Sequence, residues 1–166
     1  FHRLDTAAEN DRVIAAYGHS VSLPILETDF PSVWLSPRSS HAVLKVKHGD
    51  NNEISLFTAP RAELLSGDIS WSQLCGESDQ VTDFAVIGDT IYLVTGKLAP
   101  RFRLVEMSLS DPDMASSRDV VPAGDLVIES VSVAADALYI SVKRDGMGMV
   151  MRWVPDVGLE ELSPPR

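Results

Sequence analysis

Phe84-Ala-Val-Ile-Gly-Asp-Thr-Ile-Tyr-Leu-Val-Thr95 is matched further along by Val131-Ser-Val-Ala-Ala-Asp-Ala-Leu-Tyr-Ile-Ser-Val142, with Asp89 over Asp136 and Tyr92 over Tyr139, 47 residues apart in both cases. Each segment alternates apolar and small or polar residues on both sides of a short turn signal, which predicts strand, tight turn, strand. A third copy runs Trp34-Leu-Ser-Pro-Arg-Ser-Ser-His-Ala-Val-Leu-Lys-Val46. A further apolar strand is predicted after each hairpin, at 53–57, 102–107 and 149–153. A fourth is predicted at 71–75, 118–122 and 159–163. Four short strands repeated at a spacing near fifty are the pattern of a β-propeller blade, which cannot bury both of its faces without neighbours. The predicted class is therefore all-β, with three four-stranded antiparallel blades at residues 32–76, 77–123 and 124–166.

Residues 1–31 are expected to hold an orphan strand of a preceding blade, around Asp11 to Tyr17, and then an irregular connector or edge strand containing Pro24 and Pro31. A closed propeller needs at least four blades. Three blades, with Phe1 rather than Met at the start, read as a piece of a longer protein.

The formal charge of −10, with 14 Lys and Arg spread along 166 residues, argues against a nucleic-acid or anionic-membrane surface, which needs clustered cations. Every apolar run is interrupted well before eighteen residues, so a soluble chain is expected. One cysteine, Cys75, rules out an internal disulfide and leaves the compartment undecided. It reads as a small buried residue on an outer strand.

No constellation carries an obvious chemistry. Gly18-His-Ser-Val-Ser22 and Gly76-Glu-Ser-Asp-Gln80 lack the second glycine of a nucleophile elbow, so Ser20 and Ser78 are ordinary loop residues. Gly146-Met-Gly148 reads as a hairpin tip and not a phosphate loop, because Met151 stands where a third glycine is needed. The run Asp5 to Asp11 lacks the glycine of a calcium loop. The histidines His2, His19, His41 and His48 lack ligand spacing, so no metal site is expected, and His41 reads as a surface residue. Asp83, Asp89 and Asp136 are the carboxylates to weigh as acids or bases, since sugar-cleaving propellers gather such groups at the axis. The repeat of Asp89 and Asp136 at one blade position favours turn residues instead, with substitution nearly silent. Trp34, Trp71 and Trp153 are expected in the core. No catalytic residue and no cofactor site is assigned.

Several stretches nevertheless resemble the N-terminal β-propeller of the prolyl oligopeptidase family of serine peptidases. They are Gly88-Asp-Thr-Ile-Tyr-Leu-Val-Thr95 with Ala99-Pro-Arg-Phe-Arg-Leu-Val105, Val120-Val-Pro122 with Asp125-Leu-Val-Ile-Glu-Ser-Val-Ser-Val133, and His2-Arg-Leu-Asp-Thr6 with Asp11-Arg-Val13. The resemblance implies a seven-bladed propeller over a C-terminal α/β-hydrolase domain that carries the catalytic residues and takes short peptides. The blades here would then act as a size filter, inactive by themselves. It also implies that the loop Lys47-His-Gly-Asp50 approaches the substrate pocket, which makes Lys47 and Asp50 the candidate contact residues.

Two other classes stay open from the residues alone. One is a stand-alone interaction module of the kelch or WD-repeat kind, although neither repeat signature recurs. The other is part of a carbohydrate-active propeller. In every case the open faces of the end blades predict self-association, with Val13, Ile14 and Met149 to Trp153 near the contact.

Overall fold

The structure, a computed structural model, describes residues 5–19 and 23–162. His2, Ser20 and the terminal Pro164-Pro165 lie outside the described residues. Three four-stranded antiparallel sheets follow one another along the chain, each with its strands in sequence order. The first holds β1 (Asp29–Leu35), β2 (His41–His48), β3 (Ile54–Pro60) and β4 (Ser72–Cys75). The second holds β5 (Val81–Ile87), β6 (Thr90–Thr95), β7 (Arg103–Ser108) and β8 (Arg118–Val121). The third holds β9 (Val127–Val133), β10 (Leu138–Arg144), β11 (Met147–Val154) and β12 (Gly158–Leu162). The strands expected from the alternation are all present.

Turn chemistry sets the hairpin registers. Ile87 pairs with Thr90 across a two-residue turn whose first central residue, Gly88, has φ +58°. Arg144 pairs with Met147 across Asp145-Gly146, where both residues are left-handed, the requirement of the tightest hairpins. The hairpin tip is thus Asp145-Gly146, and the expected Gly146-Met-Gly148 tip is corrected by one step, Gly148 lying within β11.

Two apolar layers join the sheets. Val43, Leu56 and Leu74 of the first sheet meet Ile91, Leu93 and Val105 of the second. Tyr92, Val94 and Leu104, on the other side of the second sheet, meet Leu138, Ile140 and Trp153 of the third. The central strands are apolar on both faces because each face is covered, at a gain of about 1.5–3 kcal/mol for each large side chain buried.

The segment before the first sheet departs from expectation. Residues 11–17 form no strand, only irregular backbone with a bend at 14–15 and a turn from Tyr17. Among the described residues no strand stands beside them to complete a ladder; Val13 and Tyr17 are exposed, and it is the apolar side chains further on that pack against a sheet face. Leu23 and Ile25 are buried on Leu44, Val46 and Phe57, with Ala15 and Trp71 beside them. The chain's own connector therefore covers the part of the first blade's outward face around Leu44, Val46 and Phe57, while Val33 and Leu35 of β1 stay exposed. β1 begins at Asp29 and includes Pro31, tolerated because β1 is an edge strand.

The stretch Met149 to Trp153 also needs correction as a contact surface. Met151 and Trp153 are buried against the second blade, and Val150, on the opposite face, is the exposed apolar residue of that stretch. Beside it Arg152 bonds to Asp136 and to Glu160, so the open side of the third blade is largely polar.

Candidate functional site

β2 and β3 are joined by residues 49–53, the loop for which the sequence nominated Lys47 and Asp50. Both side chains are exposed. Between them His48 turns inward. Its imidazole is mostly buried, with Nδ1 3.1 Å from Asp29 Oδ1 and Nε2 2.9 Å from Ser55 Oγ. Glu77 Oε1 stands 3.9 Å from Nε2. The register places Asp29 beside His48, and Ser55 enters from the start of β3. The chain turns away at once, and the Asn51 N–H donates to the His48 carbonyl at 3.0 Å. Lys47 and Asp50 thus project from either side of an anchored histidine.

Asp29, His48 and Ser55 stand in the order of a serine-hydrolase triad, and sequence reading missed them. The signal lay in strand register, which pairs position 29 with position 48. The arrangement lacks what makes a nucleophile. Ser55 is only 5% exposed and lies within a strand, with no strained turn to present its hydroxyl and no helix following it.

The inner strands β1, β5 and β9 border an open groove of about 420 Å³, lined among others by Trp34, Pro37, Phe84 and Val133. Trp34 is corrected from the core to this surface, being 54% exposed. Its ring is held edge-on against Phe84, with centroids 5.6 Å apart, and under Lys45 Nζ at 5.6 Å. Trp153 is buried as expected, whereas Trp71 is only partly so. At the groove Asp83 accepts hydrogen bonds from the Phe84 and Val131 N–H groups, each at 2.9 Å, so it ties the second blade to the third.

Asp89 lies in the β5–β6 turn, and its role there is larger than expected. Its carboxylate accepts from the Ser39 hydroxyl, the Ser40 N–H and the Ser40 hydroxyl of the preceding blade, at 2.7–2.8 Å. His41 is mostly buried beside it, with Nδ1 3.4 Å away, so it is not the surface residue expected. Asp136 holds the equivalent repeat position but bonds within its own blade, to Tyr139 at 3.0 Å and Arg152 at 3.2 Å. The carboxylates expected at one turn position thus serve different partners, because neighbouring turns offer different donors.

The Ser40 and Ser39 hydroxyls and the Ser40 N–H hold the Asp89 carboxyl well below its ordinary value of 3.8. A depressed folded-state pKa stabilises above the unfolded value and is lost as pH falls through the folded one. Asp89→Asn, which keeps one acceptor oxygen, is expected to lower the urea midpoint at neutral pH. The gap between variant and wild type should stay constant down to about pH 4 and close below it. Superimposable melts at pH 7 would contradict this linkage between blades.

Cys75, the single cysteine, is buried on β4, and burial pushes its thiol up to about 12, where it is no nucleophile at neutral pH. Among the described residues no three His, Cys, Asp or Glu side chains gather as a metal site. No described helix is long and apolar enough to cross a membrane.

Comparison with known proteins bears directly on this architecture. The family model of the prolyl oligopeptidase N-terminal β-propeller domain matches residues 1–155. No curated protein matches the sequence. Among solved structures the chain is similar to a prolyl endopeptidase, one of two compared for the role of inter-domain dynamics in catalysis and specificity, at 20% identity and TM-score 0.77. That match covers 99% of this chain and 23% of the other. Prolyl oligopeptidase B from Galerina marginata is similar as the apo protein, at 20% identity and TM-score 0.71 over 98% of this chain and 23% of its own. The same protein bound to a 35mer hydrolysis and macrocyclization substrate gives 20% identity and TM-score 0.74 over 98% of this chain and 22% of its own. The chain thus spans less than a quarter of the length of the structures it matches. With three consecutive four-stranded blades and a family match over nearly its whole length, the chain belongs to the prolyl oligopeptidase N-terminal β-propeller family.

Proposed function

We propose that this chain is part of the substrate-gating propeller of a prolyl-oligopeptidase-type serine peptidase, whose catalytic residues lie in a C-terminal α/β-hydrolase domain. The observation that carries the reading is the groove along β1, β5 and β9, the edge that three successive blades turn toward one side, where Trp34 stands half exposed against Phe84. A ring of such edges admits extended short peptides and excludes folded chains by size. Lys47, at the end of β2, and Asp50, in the β2–β3 loop, then contact the peptide. Asp83, Asp89 and Asp136 serve as structural acceptors in this reading and not as acids or bases.

The chain alone is expected to turn over no proline-containing chromogenic peptide, since its sequence holds no Gly-x-Ser-x-Gly and, among the described residues, no exposed serine sits in a nucleophile elbow. Turnover surviving rigorous purification and lost in Ser55→Ala or Ser78→Ala would overturn this. In the longer polypeptide that contains this chain, Trp34→Gly is expected to raise cleavage of peptides of about thirty residues relative to short ones several-fold, by widening the passage. Lys47→Ala and Asp50→Ala are expected to raise KM for charged peptides with little change in kcat. An unchanged long-to-short ratio would sink the size filter.

A further inference from the structure

We propose that the face of the first blade shared by Phe30, Trp34, Lys45 and Lys47 binds extended peptides whose acidic side chains stand at alternate positions. This rests on the reading above, in which peptides pass along this edge, and names the class of peptide favoured there. The first ground is the distribution of cations. Among the described residues every Lys and Arg of the second and third blades is ion-paired, whereas Arg38, Lys45, Lys47 and Arg61 of the first blade form no ion pair. In a chain where 24 Asp and Glu outnumber 14 Lys and Arg, cations without a carboxylate are the exception.

Strand geometry brings two of the four together. Lys45 and Lys47 alternate on β2, so they share one side of the sheet, spaced by about 7 Å along the strand. Register sets Phe30 beside Lys47 and Ser32 beside Lys45, and Trp34 follows on the same face of β1. That face is turned to the second blade, where Trp34 meets Phe84 in the groove. Lys45 Nζ stands 5.6 Å over the Trp34 ring, a contact that holds the ammonium in place and leaves its N–H groups for a carboxylate. Phe30 and Trp34 are 64% and 54% exposed and offer apolar surface to the rest of the peptide.

The neighbouring carboxylates do not take these lysines. Asp29 lies on the opposite face of β1 against His48, and Asp83 accepts from the Phe84 and Val131 N–H groups. Asp50 is exposed in the loop and pairs with neither lysine. An extended peptide repeats its side chains on one side every two residues, also about 7 Å apart. Glu or Asp at alternate positions therefore meets both ammonium groups at once.

The test titrates this chain, followed by NMR, with short peptides that differ only in carrying glutamate, glutamine or lysine at two alternate positions. At low ionic strength the glutamate peptide is expected to bind about tenfold more tightly than the glutamine peptide, since an exposed ion pair is worth up to about fivefold and two form. It should move the Trp34 indole N–H and the amides of residues 30–34 and 45–47. The advantage should vanish in about 1 M salt, where charges are screened within about 3 Å. Net charge alone predicts the reverse order, with the lysine peptide bound most tightly, so the order separates a site from general attraction. Lys45→Ala and Lys47→Ala should each weaken the glutamate peptide several-fold, whereas Arg61→Ala, which removes the same charge beyond the end of β3, should not. Setting the two glutamates side by side should also remove the advantage, because adjacent side chains point to opposite sides. Equal affinity for the three peptides would overturn the acidic preference and leave a peptide path in place. No shift at these residues, or tightest binding of the lysine peptide, would overturn the proposal outright. The size filter is decided separately, by the long-to-short cleavage ratio.

Discussion

Trp153→Ala is expected to lower the stability of the chain by about 3–5 kcal/mol, the cost of truncating a buried aromatic that cannot be refilled. Trp153 is 9% exposed and lies on β11, and its ring meets Tyr92 of β6 edge to face, with centroids 5.2 Å apart and planes at 61°. It is therefore part of the seam between the second and third blades. Single domains have only about 5–15 kcal/mol to lose, so the variant should sit near its unfolding transition at 37 °C. Urea melts by fluorescence and circular dichroism measure the loss. Trp34→Ala is the internal control: its half-exposed ring makes one edge-on aromatic contact, worth about 0.5–1.5 kcal/mol. Equal losses at the two positions would mean that the third blade contributes little to the stability of the second.

Leu93→Ala is expected to cost about 2–5 kcal/mol, because Leu93 is fully buried between the first and second blades. Five residues on, Leu98 gives the opposite case. It is 95% exposed, with φ +57°, a backbone region that disfavours any side chain with a Cβ. Leu98→Gly is expected to leave stability unchanged or raise it by up to about 1 kcal/mol, relief of strain being partly offset by the freer unfolded chain. The two leucines, alike in hydropathy and almost adjacent in sequence, thus differ by several kcal/mol in what they hold together. A loss below ~1 kcal/mol in Leu93→Ala would show that this seam can close over a missing side chain.

That pair also shows what could be read in advance. Alternation around Asp89 and Asp136 specified strands and hairpins, because side chains in a strand point to opposite faces with a period of two, and the 47-residue offset specified blades. Elements whose signal is local were therefore legible: the twelve strands, the hairpin at Gly88 and the burial of Cys75 on β4. The segment Asp11 to Tyr17 was misread because a strand needs a neighbour to pair with, and pairing is not a local property. The burial of His41 and the partners of Asp83 and Asp89 were out of reach for a related reason. Their partners, Ser39, Ser40 and Val131, come from different turns and blades. The hydrogen bonds run between residues about fifty positions apart.

The sequence by itself thus determined the class, the blade repeat and the family, since these rest on periodic burial and on motifs contained within single strands. The tertiary structure alone decided which face of each strand is covered and which side chains meet. It set Trp34 at the open groove, Trp153 in a seam, the connector Leu23 to Ile25 over the first blade, and Asp29 and Ser55 around His48. The physical reason is one of range. The pleat and the turn are dictated by neighbouring residues, whereas burial, charge pairing and the hold on a loop depend on which sheets stack and in what register.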